Sequence, residues 1–491
     1  MKRVILFYPE IIKGWQARPR VGIPLSLLSL VAPARNAGYD VRLIDQRVSP
    51  RWEAELLSEL EQGPLCVGIS SMTGPQLRYA LAASELVKAH SSAPVIWGGP
   101  HPSLMPEQTL RHELVDIVVE GEGEETLPEL LQALEGRRPM DAVRGIWYKD
   151  GGRPVKTAPR DFTDLNTQPP LDYTAIDLSK HSRNIFNIDN YEFVTSRGCP
   201  HRCSFCYNVA FHKRRWRAME PDLAVARIVD FVRTYGVKGL YINDSNFFFD
   251  VARAKRILEG IAAADLGVII SKLNFDFSTL QQLDDRVFEL LQKAGCRWLP
   301  IAVETASSRV QQLIRKPIDI PQMLEINRHL GRFDMAPHYA FMMGFPTETE
   351  DDLAQSIGTA TQLLEDNPKA GTVFNIFTPY PGTELFELAL TMGLRMPERI
   401  EDWYPFNYRN LVQGGPWLSD KMRRLITTLD FSLNMLGESE FLKPYRETSA
   451  LTSFICRLYA PLARQRIKHL WHQFPIEVQL AKSLGLYAKQ E

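Results

Sequence analysis

The chain alternates short β-branched runs with amphipathic helical patterns, and it does so in two separate series. Such alternation is typical of α/β folds, because a connection between two parallel strands needs a crossover helix. The first series predicts a doubly wound, Rossmann-like parallel sheet over residues 1–145, whose ligand lies beyond the carboxyl ends of the strands. Its predicted strands cover residues 4–8, 41–45, 66–70, 95–97 and 117–119.

A second alternating series follows a proline-rich polar segment, residues 146–185, which we interpret as an interdomain linker. Six strand-helix units with right-handed crossovers predict a partial (β/α)6 barrel over residues 186–399, with its active site at the carboxyl ends of the strands. The strand pattern then stops, and residues 400–491 are predicted to form a helical C-terminal domain. The barrel strands are predicted at residues 193–196, 240–243, 268–277, 298–303, 338–343 and 372–377.

The charge balance and the cysteine content limit the classes of partner and compartment. The chain has 57 Lys and Arg against 58 Asp and Glu, so we expect no nucleic-acid partner, and any partner must be recognised locally. Six cysteines in 491 residues are too few for a disulfide scaffold, and three of them lie within eight positions, which indicates metal chemistry in a reducing compartment. We expect a cytoplasmic protein, because the N-terminus opens into a strand pattern rather than a signal peptide.

Cys199, Cys203 and Cys206 form a C-x3-C-x2-C array directly after the first predicted barrel strand. Three thiolates can each bind one iron of a four-iron cluster, and without a fourth cysteine nearby one iron keeps an open coordination position for a reaction. Two alternatives stay open: a structural zinc site with His201 or His212 as fourth ligand, and three unrelated buried cysteines. Structural zinc normally uses paired C-x2-4-C arms, so the spacing favours the cluster.

This spacing, with the aromatic Phe205 just before the last cysteine, resembles the cluster motif of the radical S-adenosylmethionine (SAM) superfamily. The resemblance implies a 4Fe-4S cluster whose open iron is chelated by SAM, and reductive cleavage of SAM to a 5′-deoxyadenosyl radical inside the barrel. Segments at the later strand ends resemble the same family. The residues that the resemblance implies for SAM binding are Phe205, Tyr207, Asp244, Asn246, Glu304 and Gly344.

Three of these strand-end segments carry acidic residues, and the residues differ in what their positions imply. Asp244 and Glu304 follow apolar runs, where a lone buried carboxylate is costly, so each needs a ligand or a partner. Glu348 and Thr349 equally fit an ordinary helix start, with Thr347 as its cap.

A doubly wound domain before such a barrel resembles the cobalamin-binding subclass of the superfamily, over residues 1 to about 400. No D-x-H-x-x-G follows the first strand, so no histidine ligand to cobalt is expected from that loop, and His101 fits a solvated loop histidine. Glycine-rich loops also suit an ordinary strand-to-helix turn. The residues that the resemblance implies for cobalamin binding are Ser70, Ser71, Met72, Thr73, Gly74, Gly98, Gly99, Glu120, Gly121 and Gly123.

The C-terminal segment has no acidic residue between positions 448 and 476, and apolar side chains recur there at i, i+3, i+4 and i+7. The predicted helical face consists of Ile467, Leu470, Trp471 and Phe474. One interpretation is a helix packed on the barrel. The other is a basic amphipathic helix that contacts a membrane surface and presents a hydrophobic substrate.

The resemblance implies a cobalamin-dependent radical SAM enzyme, and within that family we predict a C-methyltransferase that acts on an unactivated carbon of a small molecule. It implies that one SAM supplies the methyl group through cobalamin, a second SAM supplies the radical, and an external electron donor reduces the cluster. One alternative is a cobalamin-dependent cyclase or oxidoreductase of a tetrapyrrole or lipid-like substrate. The other is a non-catalytic metal- or cofactor-binding protein. No catalytic side chain is predicted.

Overall fold

The structure is a computed structural model that describes residues 1–11, 21–185, 187–407, 415–436 and 450–483. The chain forms two compact units. The first contains Met1–Arg183 with Tyr380–Gly382 and Met396–Asn407. The second contains Asn184–Pro379, Thr383–Arg395 and the described residues from 415 onward.

The first unit is built on a seven-stranded sheet in the order β2-β1-β3-β4-β5-β6-β7, in which β1 to β5 are parallel. The run from Val4 to Phe7 is buried on both faces, as a central strand between two helical layers requires. The strand order reverses between β1 and β3, and ligands of such sheets bind at this switch point. The strands are β1 Arg3–Tyr8, β2 Asp40–Asp45, β3 Cys66–Ser70, β4 Val95–Gly98, β5 Ile117–Val119, β6 Ile146–Asp150 and β7 Arg153–Lys156. The helices are α1 Leu25–Asn36, α2 Trp52–Leu60, α3 Gln76–His90, α4 Pro100–Leu104, α5 Pro106–Arg111 and α6 Thr126–Leu134.

The segment interpreted as a linker, residues 146–185, contains two strands of this sheet. β6 pairs antiparallel with β5, and β7 pairs antiparallel with β6. Gly151 and Gly152 connect them with φ of 54° and 81°, a two-residue turn that needs positive φ at both positions. The glycine pair was the sequence signal for this hairpin.

The second unit contains two sheets, ordered β13-β12-β9-β8 and β14-β15-β16-β17. The strand predicted at residues 193–196 instead ends at Phe193, as β9, and the strand predicted at residues 268–277 is divided into β13 and β14. A parallel bridge between Ile270 and Cys296 links the two sheets. A separate antiparallel pair joins β10 and β11. The strands are β8 Arg183–Ile185, β9 Ile188–Phe193, β10 Ser196–Arg197, β11 Arg217–Ala218, β12 Gly239–Ile242, β13 Ile269–Lys272, β14 Phe275–Asp276, β15 Trp298–Glu304, β16 Ala336–Met343 and β17 Gly371–Ile376. The helices are α7 Tyr207–Phe211, α8 Pro221–Tyr235, α9 Val251–Ala263, α10 Phe277–Leu280, α11 Asp285–Lys293, α12 Ser308–Ile314, α13 Ile320–Leu330, α14 Glu350–Asp366 and α15 Glu384–Thr391.

Among the residues described after the barrel, three form helices: α16 Asp420–Leu436, α17 Ala450–Lys468 and α18 Ile476–Ser483. They share a small apolar core that includes Phe431, Tyr459, Ala463 and Val478. Among the described helices, none is both long and apolar enough to cross a membrane.

The predicted apolar face on one C-terminal helix is wrong. α17 ends at Lys468, and Leu470 and Phe474 have positive φ of 47° and 48°, so the four residues do not share a helix. The physical reason is Arg466, whose buried guanidinium donates to the carbonyl oxygens of Trp471 and Phe474 at 2.9 and 3.0 Å and fixes a turn in place of the helix.

Candidate functional site

The cysteine loop, residues 198–206, follows β10 at the carboxyl end of the first barrel strand. Gly198 begins it with φ of 82°, and a Cβ there would lie 2.1 Å from the carbonyl oxygen of Arg215, so only glycine fits. Ser204 anchors the middle of the loop to the end of α12: its N donates to Ile314 O at 3.1 Å and its Oγ donates to Leu313 O at 2.8 Å. The loop is thus fixed from both sides.

All three thiols of this loop lie in a partly desolvated setting. Burial raises the pKa of Cys206 to about 11 and that of Cys203 to about 12, and it also raises the pKa of Cys199. Thiols with such pKa values ionise only when a cation binds them, because the metal supplies the charge that the pocket lacks. The donor set therefore fits an iron-sulfur cluster.

A buried ion pair lies near the thiols. Glu304 ends β15 with φ of 69°, and its Oε1 accepts a hydrogen bond from Lys316 Nζ at 3.1 Å. Burial disfavours the charged lysine, but the attraction of Glu304 and Asp276 more than offsets this and raises the pKa of Lys316. The lysine charge opposes the rise in the pKa of all three thiols. No described residue donates to the second oxygen of Glu304, so this oxygen is available to a ligand.

Sequence reasoning missed Lys316. It follows α12 in an Arg-Lys-Pro run that looks like any surface lysine, and only the three-dimensional structure buries it beside Glu304.

Asp244 follows β12 and is fully buried, which raises the pKa of its carboxyl group. Its Oδ1 accepts from Thr195 N at 2.7 Å, and its Oδ2 accepts from Thr195 Oγ at 2.6 Å and from Ser196 Oγ at 2.7 Å. A buried carboxylate needs hydrogen-bond partners, and Thr195 and Ser196, just before the cysteine loop, are those partners. Asp244 is therefore a positioning residue for the start of this loop, and its contact with SAM stays a prediction.

Asn246 lies beside the first cysteine and retains hydrogen-bonding capacity. Its side chain opposes the rise in the pKa of the Cys199 thiol, and its Nδ2 lies 3.4 Å from His201 Nε2. Asn246 is 2% exposed, yet its Oδ1 has no hydrogen-bond partner in the described part of the chain. A buried acceptor without a donor is costly, so this oxygen fits a ligand that carries N–H groups.

The other residues predicted for SAM binding occupy different positions. The Phe205 ring packs edge-on against Phe345, with centroids 6.1 Å apart, and fastens the cysteine loop to the barrel. Tyr207 begins α7 and is 37% exposed. Gly344 follows β16 with φ of 88°; its N donates to Glu348 Oε2 at 2.6 Å. Their contacts with SAM stay predictions.

The segment after Gly344 is the start of a helix, as expected, but its N-cap is a different residue. Thr349 is the N-cap of α14 and forms a capping box with Asp352, so Thr347 is not the cap. Glu348 is buried, which raises the pKa of its carboxyl group to about 8.

The geometry does not support the zinc alternative. His201 Nε2 lies 3.5 Å from Asp276 Oδ1, and His212 Nδ1 lies 3.1 Å from Arg217 Nη2. Across the described ranges, no three His, Cys, Asp or Glu side chains converge on a single ion. A zinc site needs ligands that converge on one ion, whereas in a four-iron cluster each thiol binds a different iron, so the thiols need not converge.

In the first unit, the loops after β3 and β4 interlock. Ser71 N donates to Gly98 O at 2.9 Å, and His101 N donates to Ser71 O at 3.2 Å. Gly99 has φ of 94°, and a Cβ there would lie 2.9 Å from both Ser70 Oγ and Ser71 O. This close approach explains the glycine.

His101 is not a solvated loop histidine, as the sequence suggested. It is fully buried, its Nδ1 shares a 3.0 Å hydrogen bond with Thr73 Oγ, and its ring packs edge-on to Trp403. Burial lowers the pKa of the imidazole to about 3. Nε2 of His101 and Oγ of Ser71 are buried and have no hydrogen-bond partner within the described ranges. Two such atoms on adjoining loops fit a polar ligand, as a cobalamin-binding unit requires.

The remaining residues predicted for cobalamin binding lie on the same loops or on the loop after β5. Met72 is 41% exposed, and Gly74 adopts φ of 115°. Glu120 is occupied: its Oε2 accepts from Trp147 Nε1 at 2.6 Å and lies 3.1 Å from Lys156 Nζ. Gly121 N donates to Ser103 Oγ, and Gly123 packs close to Leu30.

Comparison with known proteins identifies both units. The family model of the B12 binding domain matches residues 17–131, and that of the Radical SAM superfamily matches residues 193–360. The uncharacterized methyltransferase PH0819 of Pyrococcus horikoshii is 28% identical over 384 residues, which cover 76% of this chain and 80% of that protein. The anaerobic magnesium-protoporphyrin IX monomethyl ester cyclase of Synechocystis is 25% identical over 371 residues, which cover 74% of this chain and 72% of that protein.

A solved structure shares the fold. The cobalamin-dependent SAM radical enzyme OxsB, with aqua-cobalamin and SAM bound, has a TM-score of 0.72 at 16% identity, over 100% of this chain and 76% of that chain. The predicted fold class, with a B12-binding domain, a radical SAM barrel and a helical C-terminus, is confirmed. The prediction of a radical SAM enzyme with a B12-binding domain is confirmed as well. The radical SAM methyltransferase TsrM of Kitasatospora setae, solved with cobalamin and a [4Fe-4S] cluster bound, has a TM-score of 0.66 at 18% identity, over 81% of this chain and 76% of that chain. This chain therefore joins a B12 binding domain to a domain of the Radical SAM superfamily.

Proposed function

We propose that the protein is a C-methyltransferase that transfers a methyl group to an unactivated carbon of a small molecule. The observation that carries the proposal is the set of three desolvated thiols beside Asn246 and the Lys316–Glu304 pair, in a chain that also has a B12-binding domain. When bound, the cluster, SAM and cobalamin supply the radical and the methyl group. The protein supplies positions, charges and the exclusion of water.

Each part of the site has a task in this proposal. Cys199, Cys203 and Cys206 hold the cluster. Asn246 Oδ1 and the open oxygen of Glu304 accept hydrogen bonds from SAM, because both are acceptors that lack a donor. The two acceptors lie at the ends of different barrel strands, so together they fix the orientation of a bound molecule as well as its position.

In the first unit, the task is to bind cobalamin through the loops after β3, β4 and β5. Ser71 Oγ and His101 Nε2 are the buried atoms that need partners, and a neutral imidazole with a lowered pKa can accept or donate one hydrogen bond without carrying charge. Ser71 is one of the residues predicted for cobalamin binding, and His101 follows the predicted Gly98 and Gly99. The other predicted residues are Ser70, Met72, Thr73, Gly74, Glu120, Gly121 and Gly123.

Labelled SAM tests the assignment. Anaerobically reconstituted protein with added cobalamin is incubated with methyl-labelled SAM and a chemical reductant, and methylcobalamin and 5′-deoxyadenosine are measured. We expect both products from the wild-type protein, and no 5′-deoxyadenosine from Cys199→Ala, Cys203→Ala or Cys206→Ala. Cys456→Ala is the matched control, because this cysteine lies in the C-terminal helices. Retained cleavage in a cysteine-loop variant would refute the proposal.

Radical ring formation or oxidation without methyl transfer is a second candidate function. The 25% identity to a magnesium-protoporphyrin cyclase favours it. Product analysis distinguishes the two, because methylation releases S-adenosylhomocysteine together with 5′-deoxyadenosine. Formation of 5′-deoxyadenosine without S-adenosylhomocysteine or methylcobalamin would favour the cyclase.

We also propose that the C-terminal turn contacts an anionic membrane surface and that the substrate is hydrophobic. Trp471, Phe474 and Ile476 are 42%, 79% and 69% exposed, and Arg466 holds their turn in a fixed shape. Exposed Arg464 and Lys468 add positive charge next to it. Vesicle flotation tests this: Phe474→Ser/Ile476→Ser protein should leave the vesicle fraction, and equal flotation of variant and wild type would contradict it.

Two further expectations complete the proposal. An external donor delivers the electron for SAM cleavage, because the three remaining cysteines are buried and apart from the cysteine loop in the sequence, which leaves no second cluster motif. All six cysteines are free thiols, which supports a reducing compartment such as the cytoplasm.

A further inference from the structure

We propose that an exposed cationic surface beside the cysteine loop is the docking surface for an acidic electron-transfer protein. This surface, the cationic edge, consists of Arg202, Lys213 and Arg214. The inference rests on the proposed function, because it concerns the reductant of the cluster.

The local charge differs sharply from that of the whole chain. Residues 193–219 contain six Lys and Arg and no Asp or Glu, whereas the complete chain has a net charge of −1. Single-sign surfaces of this kind raise association rates with partners of opposite charge. The partner that fits is therefore acidic.

The charges of the cationic edge are not neutralised by the protein itself. All three side chains are exposed, and within the described ranges none of them forms an ion pair. The neighbouring pair on α8 and α9 shows the contrast, because Arg256 Nη2 lies 2.8 Å from Asp222 Oδ1. A cation without a counter-ion is available to a partner.

The cationic edge is attached directly to the loop that holds the cysteines. Arg214 Nε donates to Pro200 O at 3.5 Å, next to Cys199. The backbone of Arg215 packs on Gly198, and Trp216 Nε1 donates to Asn246 O at 3.2 Å. A protein docked on this edge contacts the same short segment that binds the cluster.

The backbone turns at this point in a way that is uncommon for residues with side chains. Lys213 and Arg214 have φ of 49° and 60°, in the left-handed region that favours glycine. Such a turn persists only where surrounding contacts fix it. Those contacts are the ones to Pro200 and Gly198, so the two cations are presented on a rigid support.

The proposed step is the transfer of one electron from the docked protein to the cluster. The docked protein loses one electron, and the cluster gains one electron. No proton moves, and no bond forms or breaks. Proximity between the two redox groups is the requirement, and the cationic edge supplies it because the exposed Arg202 lies within the cysteine loop itself.

Cluster reduction by a flavodoxin, an acidic low-potential flavoprotein, tests the inference. Reconstituted full-length protein is mixed with reduced flavodoxin, and the rate of cluster reduction is followed by absorbance at low and high salt. The charge-reversal variant Lys213→Glu/Arg214→Glu should react about 10-fold or more slowly at low salt, and its rate should depend less on salt. Reduction by dithionite should be unchanged, which shows that the variant folds and holds its cluster.

Arg233→Glu/Lys238→Glu is the matched control. Both residues are exposed, Arg233 in the last turn of α8 and Lys238 just before β12, and the charge change is the same. We expect it to react like the wild type. Equal flavodoxin rates in the cationic-edge variant and the wild type would overturn the inference. Binding of an RNA oligonucleotide is measured alongside, and a variant that loses RNA binding while its flavodoxin rate is unchanged would overturn the inference as well. Failure of the proposed function would appear separately, as wild-type protein that takes up no iron.

Discussion

Lys316 Nζ lies 3.1 Å from Glu304 Oε1, and this ion pair places a buried positive charge beside the three thiols of the cysteine loop. The lysine has two tasks: it neutralises Glu304, and it lowers the cost of negative charge on the sulfur atoms. Buried pairs of this kind are costly to break from one side only, because the remaining charge is left without a partner.

Lys316→Met should lower the free energy of unfolding of the metal-free protein by about 3–5 kcal/mol. The double variant Lys316→Met/Glu304→Gln should regain most of this loss, because no charge remains buried. Urea denaturation measures both. Lys421→Met is the control, since its exposed pair with Glu350 contributes about 1 kcal/mol or less. Equal losses in the single and double variants would contradict the explanation.

Glu304→Gln should weaken SAM binding to the reconstituted protein about 10-fold, because the charge-assisted hydrogen bonds to its open oxygen are lost. Anaerobic equilibrium dialysis measures the affinity, and Glu350→Gln serves as an exposed control. An unchanged affinity would remove Glu304 from the SAM site.

Asp244→Asn should destabilise the start of the cysteine loop by about 2 kcal/mol, since an amide cannot accept all three hydrogen bonds from Thr195 and Ser196. Iron content after reconstitution should fall in parallel. The exposed Asp222→Asn should bind iron like the wild type. Full iron content in Asp244→Asn would show that the loop does not depend on this carboxylate.

The stability of the protein should decrease as the pH falls below about 6.5. Burial lowers the pKa of His101 from 6.5 to about 3, so the unfolded chain binds more protons than the folded protein between these values. The free energy of unfolding then falls by up to about 1.4 kcal/mol per pH unit as the pH drops through this window.

His101→Asn should flatten this dependence, and the exposed His90→Asn should not. Some slope remains in the variant, because burial also lowers the pKa of His338 to about 4. Denaturant titrations at several pH values give the slopes. Identical slopes for wild type and His101→Asn would rule out His101 as a source.

Most of the fold could be predicted from the sequence, because central strands such as β1 are buried on both faces and therefore contain a continuous run of apolar residues. The cysteine loop could be predicted because metal chemistry demands its spacing. The burial of Lys316 and His101 could not be predicted, since packing that no local pattern encodes decides whether a lysine after a helix or a histidine in a short helix is buried. The same holds for the turn after α17, where the side chain of Arg466 overrides an apolar repeat that suits a helix.

The hairpin of β6 and β7 has a consequence for solubility. A parallel sheet that ended at β5 would offer unpaired backbone groups to any other extended chain. The outermost strand is instead the short β7, which carries Pro154 between Arg153 and Val155, and a proline cannot donate to a further neighbour. Two glycines and one proline thereby protect this edge of the sheet from pairing with another chain.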